Sequence, residues 1–142
     1  MAPIAALSAD HEYLLEYASA TRRALGQGDI RAARVAFDAL LDRLREHTTV
    51  EERGLFAELR AEGSMVDHVE RLESEHRDLW AAVDALQSDG PEWPLAVVRI
   101  LDDLSAHVWV EEYDIFPASV VGLSSDGWNR VIDTVAPVHE EV

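Results

Sequence analysis

Apolar residues recur at three- and four-residue spacings along most of the chain, which is the period of an amphipathic helix. The pattern predicts a first helix from Ser8, as its cap, to about Leu25. A second, longer helix is predicted from the cap Asp29 to about Glu62. Glycines follow both predicted ends, as is typical of helix termini.

Two further helices and a tail helix complete the pattern. Ser64 with Asp67 resembles a capping box and predicts a third helix to about Gln87. Pro94 suits the first turn of a fourth helix, which is expected to kink or end at Pro117. A weakly periodic stretch, about residues 125–135, predicts a short C-terminal helix outside the bundle.

Four long helices joined by short turns, with no credible alternating strand pattern, predict an all-α fold. The expected architecture is an up-down-up-down antiparallel four-helix bundle. We expect one domain over residues 1–142, with its core at about 8–118 and a tail at 119–142. No apolar run approaches the roughly 20 residues of a membrane span, and the N-terminus does not read as a secretory signal. A cytoplasmic location is therefore expected.

Composition narrows the chemistry. The chain has no cysteine, which excludes disulfides, thiolate zinc sites, iron–sulfur clusters and cysteine nucleophiles. Its formal net charge of −16 makes nucleic acid and membrane surfaces poor partners and cations better ones. Most of the 28 acidic residues are expected on solvated helix faces, and only a few need to point inward.

A repeat carries the candidate chemistry. Residues 47–56 and 107–116 both read His-x-x-Val-Glu-Glu-x-x-aliphatic-Phe, and the helix before each copy carries acid-His-x-x-Leu, at 10–14 and 75–79. The chain is thus a helix pair written twice. Positions i and i+4 lie on one helix face about 6 Å apart, so each copy presents a histidine and a glutamate together. The candidate metal ligands are His11, His47, Glu51, His76, His107 and Glu111.

The four histidines of this set are expected in one layer of the bundle. Counted from the three turns, neighbouring histidines differ in height by no more than about 6 Å. A duplication for packing alone would repeat apolar residues, and burying six such groups without metal costs several kcal/mol per charge. Nitrogen and oxygen ligands suit iron, manganese or zinc, and a bridging glutamate from each half lets two metals share a site. Two irons are the first choice.

Other polar and aromatic residues receive simpler interpretations. Glu52 and Glu112 follow the candidate ligands and can accept hydrogen bonds near the metal, or Glu112 can replace Glu111 as a ligand; for Glu52 solvent exposure is favoured. His68 and His139 are interpreted as bystanders. The aromatic residues expected in the core are Tyr13, Tyr17, Trp80, Trp109, Tyr113 and Phe116.

With those residues in hand, the chain resembles the hemerythrin-like family of His-His-Glu cation-binding domains over about residues 8–118. The doubled motif, whose second copy is followed by Pro117, carries the resemblance. It implies two irons bridged by glutamates alongside an oxo or hydroxo group. Family members bind oxygen reversibly, sense oxygen or iron, or react with peroxide or nitric oxide. The ligands implied are His11, His47, Glu51, His76, His107 and Glu111.

One departure from the family changes the functional expectation. Oxygen-carrying hemerythrins have a further histidine one turn before the third-helix ligand, where this chain has Leu72. Glu73, about 60° round the helix, can take its place as an additional ligand, or water can fill an open position. This departure argues against reversible oxygen carriage. It favours reaction with oxygen, peroxide or nitric oxide, in the handling or sensing of oxidative or nitrosative stress.

Two alternatives stay open at the level of sequence. One is a di-iron oxidase or oxygenase, which requires a pocket beside the irons for an organic substrate. The other is an iron-binding buffer or sensor module, which would show little chemistry but a large gain of stability with metal. Whether the chain is an enzyme, for example a peroxide-decomposing one, is left open, and no residue pattern identifies a redox partner.

Overall fold

The computed structural model describes residues 2–63, 65–88 and 90–140, with side chains for 3–63, 65–88 and 90–133. The helices are α1 Ala2–Gly26, α2 Ile30–Glu51, α3 Ala57–Glu62, α4 Val66–Asp84, α5 Trp93–Val110, α6 Phe116–Gly122 and α7 Ser125–Glu140. Two π-turns, Glu52–Phe56 and Glu111–Ile115, join α2 to α3 and α5 to α6. The chain therefore forms four long rods, α1, α2–α3, α4 and α5–α6, and the predicted all-α bundle is confirmed.

Several helix ends follow from local chemistry as predicted. The side chain of Asp29 accepts a hydrogen bond from the backbone N–H of Ala32 at 3.1 Å and so caps α2. Gly63 ends α3 with a φ of 85°, a left-handed conformation that glycine adopts without a Cβ penalty. Pro94 lies in the first turn of α5, where its missing N–H is not needed.

The first and third long helices do not begin with the side-chain caps that the sequence predicts. The prediction that Ser8 caps the first helix is wrong, because α1 begins at Ala2 and the Ser8 hydroxyl donates a hydrogen bond to Glu112 at 3.0 Å. Ser64, the predicted cap of the third helix, lies outside the described residues. The helix α4 begins at Val66 without a side-chain cap, so tertiary packing rather than capping fixes its start.

Two C-termini lie away from their predicted positions. The third rod ends at Asp84, before the predicted end at about Gln87. The fourth rod is predicted to kink or end at Pro117; it does not end there but continues to Gly122. A proline inside a regular helix loses a hydrogen bond and collides with the carbonyl four residues earlier. Here the wider π-turn immediately before Pro117 spans that carbonyl, which allows the rod to continue.

The core consists of two apolar clusters. One is built around Leu14, Phe37 and Leu101, and the other around Leu7 and Leu72. The tail helix α7 packs on α1, α2, α3 and the first π-turn, and it buries residues in the second cluster. The tail helix therefore adds Trp128 and Val131 to the buried core, beyond the limits of about 8–118 expected from the sequence. No helix of the described residues has the length and apolar character needed to cross a bilayer.

Candidate metal centre

The structure brings the six candidate ligands into one buried cluster. They form two groups of four whose ligand atoms lie within 4.8 Å of one another, and each group has two histidines of its own. Glu51 and Glu111 belong to both groups, one carboxylate from each half of the duplicated chain. None of the six side chains is more than 8% exposed. The groups are His11, His47, Glu51 and Glu111, and Glu51, His76, His107 and Glu111.

Helical spacing explains the contacts within each repeat copy. His47 and Glu51 are one turn apart on the second rod, with Nε2 of the histidine 2.9 Å from Oε1 of the glutamate. His107 and Glu111 repeat the arrangement on the fourth rod at 3.3 Å. The remaining histidines come from the first and third rods, and their Nε2 atoms face those of the repeat histidines at 3.0 Å for His11 with His47. The symmetry-related pair, His76 with His107, is 2.9 Å apart.

The glutamate that follows each shared carboxylate holds a histidine of a neighbouring rod. Oε1 of Glu112 lies 2.7 Å from Nδ1 of His11. Oε1 of Glu52 lies 2.9 Å from Nδ1 of His76. The side chain of Glu52 is 41% exposed, so the favoured interpretation as a solvent-facing residue describes only part of its role. Both glutamates orient histidines, and the alternative in which Glu112 replaces Glu111 among the clustered carboxylates is not realised.

The acid that precedes each candidate ligand histidine of the first and third rods holds the histidine of the next rod. Oδ2 of Asp10 lies 3.2 Å from Nδ1 of His47, and Oε1 of Glu75 lies 3.4 Å from Nδ1 of His107. Asp10 also accepts hydrogen bonds from the guanidinium of Arg43. Each rod thus supplies one carboxylate to the histidine of the next rod, and the order closes from the fourth rod back to the first. We call Asp10, Glu52, Glu75 and Glu112 the outer ring.

The repeated phenylalanines pack on the same histidines. The ring of Phe116 stacks on His11 with centroids 5.4 Å apart, and Phe56 stacks on His76 at 5.7 Å. The stretch from each shared glutamate to its phenylalanine runs through a π-turn. An insertion of this kind changes which residues share a helix face. It therefore lets one stretch of rod present ligands to the cluster and a phenylalanine to the neighbouring histidine.

The donor arrangement fits a pair of metal ions. Because each Nδ1 faces a carboxylate and donates to it, each Nε2 of a neutral imidazole presents a lone pair. Two such lone pairs about 3 Å apart require a proton or a metal ion between them. In addition, the four carboxylate oxygens of Glu51 and Glu111 have no well-formed hydrogen bond within the described part of the chain, although imidazole nitrogens lie close by. Buried, unsatisfied oxygens of this kind are costly unless a cation compensates them.

Protonation in the metal-free cluster follows from burial and proximity. Burial raises the pKa of Glu51, and the charge of Glu111 raises it further. Burial also favours a neutral Glu111, but close polar contacts with Glu51, His107 and His11 outweigh it and hold the pKa of Glu111 well below its usual range. Burial lowers the pKa of His107, yet its hydrogen bond to Glu111 and the surrounding carboxylates raise that pKa to about 9 overall. Protons therefore occupy the cluster when metal does not.

The pKa values of His76 and His11 also reflect burial and neighbouring charged groups. Burial lowers the pKa of His76, and the neighbouring charge of His107 lowers it further. Burial opposes protonation of His11 as well, but its hydrogen bond to Glu111 raises the pKa of His11 overall. His107 and His11, which both contact Glu111, therefore bind a proton more readily than a free imidazole does, and a metal ion must compete with that proton.

Not every residue singled out in the sequence joins the cluster. Glu73, the possible additional ligand, lies outside both groups and pairs with Arg60 at 3.0 Å. Leu72 is 1% exposed and lies among apolar side chains. His68 is exposed and outside both groups, as expected of a bystander. The side chain of His139 lies outside the described residues.

Sequence reasoning missed the roles of Asp10 and Glu75. The signal was present, because both acids precede a histidine at matching positions of the duplicated helix pair. The expected burial of the aromatic residues is only partly realised. Phe116 is buried, whereas Tyr13, Trp109 and Tyr113 are 45–69% exposed, and the rings of Trp109 and Tyr113 contact each other at the surface with an interplanar angle of 40°.

Comparison with known proteins agrees with this geometry. The model of the hemerythrin HHE cation-binding domain matches residues 2–119, which include all six clustered side chains and the outer ring. No curated protein and no solved structure is significantly similar to the chain. The match covers most of the sequence, and the buried histidine and glutamate groups fit a metal-binding domain. This chain therefore belongs to the hemerythrin HHE cation-binding domain family.

Proposed function

We propose that this chain is a non-haem di-iron protein that binds or reacts with oxygen, peroxide or nitric oxide. The observation that carries the proposal is the pair of ligand groups that share Glu51 and Glu111. Four imidazoles and two carboxylates form a nitrogen and oxygen donor set suited to iron, and carboxylates common to two groups are how paired metals are held in helical bundles. Manganese and zinc can use the same nitrogen and oxygen donors, and we place them after iron.

The residues present leave room for a small ligand. Each group supplies two histidines and the two shared carboxylates, because the position of a fifth histidine is occupied by the buried Leu72. A metal ion that prefers six ligands therefore keeps open positions. Two iron ions bound here supply one-electron redox chemistry and a place for a small molecule to bind.

The surroundings of the cluster favour a molecule of a few atoms. All six side chains line one cavity of about 10 Å³, which is room for a single water-sized molecule. Besides Thr48 and Val108, one leucine from each rod lines the cavity, so most of the wall other than the candidate ligands is apolar. These leucines are Leu14, Leu44, Leu79 and Leu104.

A second candidate, an oxidase or oxygenase for an organic substrate, is favoured by one observation. A cleft of about 230 Å³ between α4 and α5 is lined in part by His76 and His107. Its volume is below the roughly 300–1,000 Å³ of most small-molecule pockets. A groove of about 590 Å³ between α2 and α4 also reaches His76, but its lining is mostly polar, whereas small-molecule pockets are mostly apolar. We therefore place the small-ligand function first.

The test is metal content per chain, measured by elemental analysis on protein purified without a metal-affinity tag, together with the visible spectrum. The proposal expects two irons per chain and an oxo-bridge charge-transfer band, with spectral changes on adding oxygen, peroxide or nitric oxide. The Glu51→Ala/Glu111→Ala variant should contain less metal. A colourless, metal-free but stably folded bundle would overturn the proposal and leave an interaction module.

A further inference from the structure

The cleft between α4 and α5 reaches the candidate metal centre from the surface. Two of the clustered histidines lie at its buried end, and exposed side chains, mostly acidic, lie at its outer end. His107 is 8% exposed, whereas the other three clustered histidines are each 2% exposed. The lining residues relevant here are Glu75, His76, Asp78, Asp103, Ala106 and His107.

The duplicated chain offers an internal comparison for this cleft. The repeat aligns Asp78 with Tyr13 and Asp103 with Arg43. On the α1–α2 side, the guanidinium carbon of Arg43 lies 4.0 Å from the centre of the Tyr13 ring. The same guanidinium donates to Oδ1 of Asp10 from Nη2 at 3.0 Å and from Nε at 3.3 Å. Arg43 therefore ties α2 to α1 at the level of the centre.

The second half has the opposite chemistry at the equivalent positions. Asp78 on α4 and Asp103 on α5 carry like charges, so they cannot form the stacked, ion-paired bridge made by Tyr13 and Arg43. The backbone packing differs in the same sense, because α1 and α2 contact each other much more extensively than α4 and α5 do. One side of the duplicated bundle is closed and the other is open.

We propose that the α4–α5 cleft is the portal through which metal ions and small ligands reach the centre, while Arg43 stacked on Tyr13 closes the equivalent route between α1 and α2. This inference rests on the proposed metal centre and adds its direction of access. Carboxylates around a low-dielectric cleft concentrate cations and repel anions. The portal therefore favours divalent cations and neutral small molecules over anions, and it opens on the group that contains His76 and His107.

The experiment measures how fast metal-free protein takes up Co²⁺, followed by visible absorption in a stopped-flow instrument. The Asp78→Tyr/Asp103→Arg variant transplants the bridge of the closed side into the cleft. Uptake should slow by about tenfold or more, because both the attractive charge and the opening are lost. The final occupancy should stay unchanged, since none of the clustered side chains is altered. The Asp78→Asn/Asp103→Asn variant, which removes charge without adding bulk, should show a smaller slowing that disappears at high salt.

A matched control separates the portal from a general effect of charge. The Glu16→Tyr/Asp38→Arg variant introduces the same two residue types and the same change of net charge at exposed positions on α1 and α2, outside the cleft. Its uptake rate should stay close to that of the unsubstituted chain. Equal slowing in the control and the cleft variant, or no slowing in either, would overturn the portal while leaving the metal centre intact. Absence of Co²⁺ uptake by the unsubstituted chain would overturn the centre and the portal together.

Discussion

Replacing Glu51 by glutamine should separate the stability of the bundle from its metal binding. The pKa of Glu51 is raised well above its usual range by burial and by the charge of Glu111, so the metal-free fold favours the neutral form of Glu51. Glutamine has the same shape and is also neutral. The Glu51→Gln substitution should therefore change the unfolding free energy of the metal-free protein by no more than about 1 kcal/mol, the net worth of an ordinary hydrogen bond.

The matched substitution Glu111→Gln should behave differently. Glu111 is ionised in the metal-free protein, and its carboxylate forms buried ion pairs with His107 and His11. Removing one partner of a buried ion pair costs about 3–5 kcal/mol, so this variant should be less stable without metal than the Glu51→Gln protein. The two variants differ only in which of the two shared glutamates is replaced.

Added metal should stabilise the unsubstituted chain much more than either variant. A ligand at a thousand times its dissociation constant stabilises the folded state by about 4 kcal/mol, which for a chain of this length raises Tm by roughly 10–15 °C. Both variants should lose most of that rise, because each removes a ligand common to both groups. Thermal unfolding followed by circular dichroism, with and without Co²⁺, measures the stability of each variant without metal and the rise of its Tm with metal.

Two outcomes would refute this reasoning. If Glu51→Gln destabilises the metal-free protein as much as Glu111→Gln does, then the proton is not held on Glu51. If Glu51→Gln keeps the full rise of Tm with metal, then Glu51 is not a shared ligand. An exposed substitution, Glu16→Gln, controls for the loss of one acidic residue and should change neither quantity.

Three further predictions follow from the same cluster. Metal affinity should rise about tenfold per pH unit and level off near pH 9, because metal must displace the proton of His107, whose pKa is about 9. The stability of the metal-free protein changes the other way: the part that this proton contributes is present below pH 6.5 and is lost as the pH rises through 9. Calorimetric titrations at pH 6–10 test this, and a flat profile would contradict it. The Glu112→Gln substitution should weaken metal affinity by about 10- to 100-fold and alter the Nδ1 proton signal of His11 in nitrogen NMR; an unchanged affinity would remove Glu112 from any orienting role. Leu72→His should destabilise the metal-free protein by about 1–3 kcal/mol, because it buries an unpaired polar group, and metal should restore that stability only if the imidazole reaches the centre.

Much of the bundle follows from features that are local along the chain. Helical periodicity, the Asp29 cap, the left-handed Gly63 and the early Pro94 act within a few residues, and the structure has them as predicted. The six candidate ligands could also be predicted from the sequence, because i, i+4 spacing is fixed by helix geometry and the duplication supplies the second copy. The π-turns could not be predicted, since they depend on how each rod packs rather than on its own periodicity.

The tertiary structure alone decided which partner each side chain meets across the bundle. Asp10 and His47 are 37 residues apart, and their contact depends on how the first two rods rotate about their axes. The same rotation leaves Tyr13 at the surface beneath Arg43, where sequence pattern placed it in the core. Periodicity identifies the residues that share one face of a helix, but the packing of all four rods determines what that face touches. The sequence therefore determined the helices and the candidate ligands, whereas the fold decided the outer ring and the open side of the centre.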